Sequence, residues 1–217
     1  MYKAVVFDFD GTIANTLPIC FGAFRRVTEP LVGKMTDSEI RAKYFGPTEE
    51  GMFRTHFPDK AEELIKDYYK YYEEMQKATR DAVPGLMEII HALSRKGVHV
   101  ALVTAKGPVS CKISLEHYGI TDAFEAIETG SDQGRAKDVG ILKVLDVMGV
   151  KPEETIYVGD SYKDVISSRK AHVTSWGAVW LPSAEPERVL VENPDAIFYT
   201  VADFKSRLEE EFGALDC

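Results

Sequence analysis

Two aspartates stand one residue apart at the end of the chain's first apolar run, Val5-Val6-Phe7-Asp8-Phe9-Asp10-Gly11-Thr12. Val5 to Phe9 reads as a buried parallel strand, because it is apolar on both faces and rich in β-branched and aromatic residues. Carboxylates do not belong inside such a strand. Asp8 and Asp10 are therefore expected where the strand emerges at its carboxyl edge, the edge at which open α/β sheets bind ligands. An Asp-Gly hairpin turn is the plain alternative. The following Ile13-Ala14-Asn15-Thr16-Leu17-Pro18 does not alternate, however, and leads toward a helix rather than a second strand.

Three further places offer complementary groups. The run Val100-Ala101-Leu102-Val103 ends in Thr104-Ala105-Lys106, a hydroxyl beside backbone N–H groups at the approach to a helix, which suits an anion. Lys137 opens another helical stretch, where the helix dipole disfavours a cation but a phosphate would give one a purpose. Tyr157-Val158-Gly159-Asp160-Ser161-Tyr162-Lys163-Asp164 sets two more carboxylates about one helical turn apart after a buried strand. Singly, each has an ordinary explanation: a threonine cap, a solvated lysine, an acidic first turn.

The elements that must position these groups follow from periodicity. From Val83 onward strand-like and helix-like segments alternate, as in a parallel sheet covered by helices on both faces. Leu86, Ile89, Ile90 and Leu93 recur at helical spacing before Gly97 and the strand Val98 to Val103. A helix from about Pro108 to Tyr118, a short strand Phe124 to Ile127 and a helix carrying Ile141, Val144, Leu145 and Met148 come next, then the strand Thr155 to Val158. Thr174 to Trp180 and Ala196 to Tyr199 read as outer strands, and Val201, Phe204, Leu208 and Phe212 as a closing helix. The expected fold is α/β, a doubly wound Rossmann-like parallel sheet formed by residues 1–14 and 82–217. Residues 15–81 break the alternation and read as an inserted all-helical domain. In it Thr16 is a candidate helix cap, and Leu64, Ile65, Tyr68, Tyr72 and Met75 form one stripe whose tyrosines are expected to pack rather than build an aromatic cage. Tyr44-Phe45-Gly46-Pro47-Thr48 is a turn that could face the acidic edge of the core.

Composition limits the partners. The 217 residues are 45% hydrophobic and carry 35 acidic against 26 basic side chains, a net charge of -9, which argues against a general nucleic-acid binder. An anionic substrate would need locally focused positive charge. No apolar stretch approaches the roughly 20 residues of a membrane span, and no signal-peptide pattern precedes the first strand. Cys20, Cys111 and Cys217 are widely spaced and odd in number, which fits reduced thiols, and the five histidines show no zinc-ligand spacing. A cytoplasmic protein with no membrane partner is the expectation.

Together the four charged sites resemble the haloacid dehalogenase superfamily of phosphohydrolases, in particular its phosphoglycolate-phosphatase-like branch with an inserted helical cap. Asp8-Phe9-Asp10-Gly11-Thr12 is similar to the first motif of that family, Thr104 to its second, Lys137 to its third, and Gly159-Asp160 through Asp164 to its fourth. The resemblance implies that Asp8 is the nucleophile and Asp10 the general acid/base. It implies that Gly11, Thr104, Ala105 and Lys137 bind the substrate phosphate. Asp8, Asp10 through its backbone carbonyl, and Asp160 would hold Mg2+, with Asp164 supporting them. The implied activity is magnesium-dependent hydrolysis of a small phosphomonoester, phosphoglycolate-like or a sugar phosphate, through an aspartyl-phosphate. A carboxylate is repelled by a phosphate dianion, so such attack needs a bridging divalent cation and a lysine to neutralise the remaining oxygens.

Two departures from the family pattern stand out. The third motif is often Lys-Pro-x-Pro, whereas Gly134-Arg135-Ala136-Lys137-Asp138 has no proline, so Arg135 is an alternative to Lys137. Asn15-Thr16 stands where relatives often have Asp-Ser. Three other readings compete. A hydrolytic dehalogenase usually lacks the second acidic residue of the first motif, a phosphomutase of the β-phosphoglucomutase type differs chiefly in the cap, and a phosphoaccepting receiver module needs no cap.

Overall fold

The computed structural model describes every residue except Pro47, Arg80, Gln133 and Arg135. Among the described residues a six-stranded, wholly parallel sheet forms the core, with strands β1 (Ala4–Phe7), β2 (His99–Val103), β3 (Ala126–Glu128), β4 (Thr155–Gly159), β5 (Thr174–Ala178) and β6 (Ala196–Phe198) in the order β3-β2-β1-β4-β5-β6. The order reverses beside β1, so the crevice used by ligands in such sheets opens between the carboxyl ends of β1 and β4. Phe7 is in register with Leu102 on one side and Val158 on the other, which brings the residues following all three strands to one edge.

Both faces of the sheet are buried, as the apolar runs predict. Val5 and Phe7 face a core shared with α5 (Leu86–Arg95), α6 (Pro108–Tyr118) and α10 (Val201–Phe212), while Ala4 and Val6 face Ile141, Val144 and Leu145 of α7 (Lys137–Met148). The shorter helices α8 (Tyr162–Lys170) and α9 (Pro186–Val191) complete the wrapping around β4 to β6. Strand ends depart from the sequence expectation by one or two residues, β1 and β5 ending early while β3 and β4 run to Glu128 and Gly159. β1 stops at Phe7 rather than Phe9, although Asp8 still donates its N–H to Val158 at 2.9 Å. β5 ends at Ala178, because Trp180 turns out of the sheet to donate its indole N–H to the Thr12 carbonyl at 3.0 Å.

The insertion is helical: α1 (Leu17–Val32), α2 (Asp37–Lys43), α3 (Glu49–His56) and α4 (Ala61–Ala78). It has its own aromatic core, in which Phe24 stacks on Phe53 and Phe53 meets Tyr68 edge-on at 5.5 Å between centroids. Tyr68 and Tyr72 are buried there, so the tyrosine stripe packs. The two connections to the sheet run side by side: Asn15 donates to Asp81 at 2.8 Å and Val83 to Ile13 at 3.1 Å. Among the described residues no helix is long and apolar enough to cross a membrane.

Candidate active site

The acidic edge holds two groups of side chains, one around Asp8 and one around Asp10. Asp8 follows β1 and is almost fully buried, its Oδ1 accepting the Phe9 N–H at 2.7 Å and its Oδ2 the Lys137 ammonium at 2.8 Å. Lys137 opens α7, and that placement sends its side chain across the sheet edge rather than into solvent. Its Nζ also donates to Asp164 Oδ1 at 2.5 Å. Asp164 is fixed in turn, because its Oδ2 accepts the backbone N–H of Ser161 at 3.0 Å and the Ser161 hydroxyl at 2.7 Å, closing the first turn of α8. Asp160 joins them: oxygens of Asp8, Asp160 and Asp164 all lie within 4.8 Å of one another.

Glycines permit this crowding. Gly11 has φ +86°, and a Cβ there would stand 2.2 Å from Asp160 Oδ2. A Cβ on Gly159 would stand 2.5 Å from Asp164 Cγ. Both positions must remain bare for the carboxylates to converge.

The electrostatics of the cluster are unbalanced. Three carboxylates against one ammonium leave two negative charges in a largely buried place. Burial pushes the Asp8 carboxyl up to about 6 against the pull of Lys137, with Asp164 adding to the rise. Asp160 is raised well above its ordinary value, first by burial and then by Asp164 and Asp8. Burial opposes the charge on Lys137, but Asp164 and Asp8 outweigh it and hold the ammonium firmly protonated. An all-oxygen donor set with two surplus negative charges fits a hard divalent cation such as Mg2+, which would cancel them.

Asp10 belongs to the second group. Its Oδ1 accepts from Lys106 Nζ at 3.0 Å and from the Thr16 hydroxyl. Thr16 thus occupies the N-cap position of α1 but makes no side-chain cap bond, a correction to the sequence reading: its hydroxyl serves Asp10 instead. Lys106 is the residue that sequence reasoning named without assigning. Its side chain is wholly buried, with the ammonium 4.7 Å from the Tyr72 ring centroid and 4.0 Å from Cys20 Sγ. Burial works against its charge, yet Asp10 and its neighbours keep it well above the usual lysine range. The one available sign was its place two residues after Thr104; lysines are otherwise rarely buried.

Thr104, Ala105 and Lys137 line a common cavity of about 40 Å³. The Thr104 hydroxyl accepts the Lys106 N–H at 3.2 Å, and its own N–H goes to the Glu128 carbonyl at 3.0 Å. Ala105 also lines a second cavity, of about 100 Å³, between the sheet edge and the insertion. Asp10 and Lys106 form its floor, and Leu17, Cys20, Met52 and Tyr68 stand among its walls. Phe45, Gly46 and Thr48 line it too, so the turn between α2 and α3 faces the acidic edge; Pro47 lies outside the described residues. Arg135, the alternative to Lys137, also lies outside them.

The insertion is tied to the core by polar contacts from α3 and α4. Glu49 spans the gap, accepting the Gly107 N–H at 2.8 Å and the Ser110 hydroxyl at the first turn of α6. A carboxylate from the insertion therefore occupies the first turn of α6, where the helix dipole favours negative charge. Asp132 accepts from the Thr48 hydroxyl and from Arg54, and Tyr72 meets Ser114 at 2.9 Å.

Comparison with known proteins identifies the family and the fold. The family pattern described as haloacid dehalogenase-like hydrolase matches residues 5–178. A pyrophosphatase PpaX of Bacillus cereus is 25% identical over 204 residues, covering 90% of this chain and 94% of its own. CbbY from Rhodobacter sphaeroides, solved in complex with phosphate, superposes with a TM-score of 0.77 at 17% identity, covering 94% of this chain and 96% of that one. The β-phosphoglucomutase of Clostridium difficile superposes with a TM-score of 0.75 at 17% identity, covering 98% and 97%. The two solved structures share the fold, and the chain belongs to the haloacid dehalogenase-like hydrolase family.

Proposed function

We propose that this hydrolase is a magnesium-dependent phosphatase that removes the phosphoryl group from a small phosphomonoester through an aspartyl-phosphate on Asp8. The observation that carries the reading is the convergence of Asp8, Asp160, Asp164 and Lys137 at one sheet edge, beside an Asp10 that faces a separate cavity. Asp8, Asp160 and the backbone carbonyl of Asp10 would hold Mg2+, with Asp164 fixing Lys137 and the α8 turn. The ion would neutralise charge between the nucleophile and the phosphoryl oxygens.

The chain's own residues divide the remaining work. The Phe9 N–H and Lys137 fix the Asp8 carboxylate, so the nucleophile is oriented before substrate arrives. Lys137, Thr104 and the backbone around Gly11 and Ala105 bind phosphoryl oxygens. In-line attack by an Asp8 oxygen forms the O–P bond as the ester O–P bond breaks. Asp10 gives its proton to the departing oxygen, then takes a proton from the water that attacks the phosphorus of the aspartyl-phosphate and restores Asp8. Lys106 and Thr16 hold Asp10 Oδ1, leaving Oδ2 for the proton, and Lys106 stabilises the carboxylate left after donation.

Ala105 borders both cavities, which supports a reading with the phosphoryl group near Thr104 and Lys137 and the leaving group on the Asp10 and Lys106 side. Residues 15–81 act as a cap hinged at the paired connections, excluding water while the acyl-phosphate exists. A cavity of about 100 Å³ suits a small leaving group. The three cysteines are all free, which accords with a reducing cytoplasmic location. A metal-supplemented screen of phosphomonoesters tests the reading. Phosphate release that chelation abolishes supports it; a sugar-phosphate isomer as the product, or turnover without metal, contradicts it.

A further inference from the structure

The cavity above Asp10 has chemistry of its own. Its walls are chiefly apolar, with Leu17, Cys20, Phe45 and Met52 on the cap side. Among the described residues lining it the only cation is Lys106, and that ammonium is already paired with Asp10 at 3.0 Å. Glu49 adds a carboxylate to the same wall, and burial raises its pKa while Lys106 and Ser110 favour the ion. Two donors that a second anionic group of a substrate could use, the Gly107 N–H and the Ser110 hydroxyl, are taken by Glu49. A leaving group carrying its own phosphate or carboxylate would have to displace Glu49 or sit beside it without an unpaired cation. Either course leaves charge uncompensated in a place shielded from water.

We propose that Glu49 determines specificity in this site: it selects phosphomonoesters whose leaving group is small and uncharged, and rejects substrates with a second anionic group such as pyrophosphate or phosphoglycolate. The proposal rests on the phosphatase reading above and narrows it. It separates this chain from the pyrophosphatase PpaX to which it is 25% identical. The space above Asp10, about 100 Å³, is smaller than the ~150 Å³ of a cavity that accommodates benzene, which favours a small leaving alcohol.

The test compares phosphate release from propyl phosphate, glycerol phosphate, pyrophosphate and phosphoglycolate by the full chain with Mg2+. The uncharged pair should have kcat/KM values about tenfold or more above the anionic pair. Glu49→Gln keeps the size and one acceptor while removing the charge, and should reduce that preference by about tenfold. Phe45→Lys adds a cation at an exposed position lining the cavity and should move the preference the same way, so the proposal does not depend on one variant folding. Wild-type preference for pyrophosphate or phosphoglycolate would overturn the selectivity while leaving the phosphatase reading intact. An unchanged preference in both variants would overturn the role of Glu49. No release from any of the four would overturn the phosphatase reading, and the proposal with it.

Discussion

Lys106 reaches Asp10 across 96 positions of sequence, its Nζ 3.0 Å from Asp10 Oδ1, in a place where the lysine side chain has no contact with solvent. The pairing gives Asp10 a fixed oxygen and a charged neighbour, and so distinguishes it from Asp8, which is paired with Lys137. Two aspartates separated by a single phenylalanine thus receive different environments, as the proposed division between nucleophile and acid/base requires.

Lys106→Met should therefore act on proton transfer more than on binding. It preserves length and bulk but removes the charge that accepts Asp10 as a carboxylate. We expect kcat to fall by about 10²-fold with KM changed little, read from steady-state phosphate release. A rise in KM with kcat preserved would make Lys106 a substrate ligand instead.

The pH dependence of stability follows from Asp8. Burial outweighs Lys137 and pushes the Asp8 carboxyl from the ordinary 3.8 up to about 6 in the metal-free fold. A folded pKa above the unfolded one means that this group's contribution is fully present below about pH 4 and is lost as pH rises through about 6, amounting to about 3 kcal/mol at most. In chelator, the metal-free protein should lose thermal stability over that window. Asp8→Asn should flatten the slope and raise Tm near neutral pH. Added Mg2+ should stabilise the wild type more near neutrality than at about pH 5, as expected of a ligand that replaces a proton.

Gly11→Ala should damage the metal site from a distance of one side chain. The backbone at φ +86° disfavours any Cβ, and that Cβ would fall 2.2 Å from Asp160 Oδ2. A loss of about 1–3 kcal/mol in stability and a weaker response of Tm to Mg2+ are expected from thermal melts with and without the ion.

Breaking the Asp132 contact should loosen the cap rather than the fold. Asp132 bonds Thr48 and Arg54, but the Arg54 pair is about half exposed, so Asp132→Ala should cost no more than about 1 kcal/mol in stability. Limited proteolysis at the paired connections near residues 13–15 and 81–83 should accelerate, and KM should rise. Unchanged proteolysis would show that Asp132 does not secure the closed arrangement.

The sheet and its acidic edge were legible because strands buried on both faces announce themselves as apolar runs, and a carboxylate at the end of such a run has one sensible place to go. Asp8, Thr104 and Asp160 were readable on that ground, and Lys137 gained meaning from its place at the start of α7. The contacts that distinguish this site were not legible. Apart from its place two residues after Thr104, nothing local to Lys106 signals burial, and Glu49 meets Gly107 only because the insertion folds back over 58 positions. Thr16 had the type and place of a helix cap, and a tertiary contact with Asp10 won the hydroxyl. Local pattern carries periodicity and caps; it does not carry how one domain lies on another.

The central claim is that Asp8 becomes phosphorylated. Rapid quenching of a single turnover with Mg2+ and a hydrolysed phosphomonoester, followed by borohydride reduction and peptide mass spectrometry, tests it directly. Reductive conversion of the side chain at position 8, present in the wild type and absent in Asp8→Asn, is the predicted result. Turnover with no label at Asp8, or label on another residue, would contradict the account.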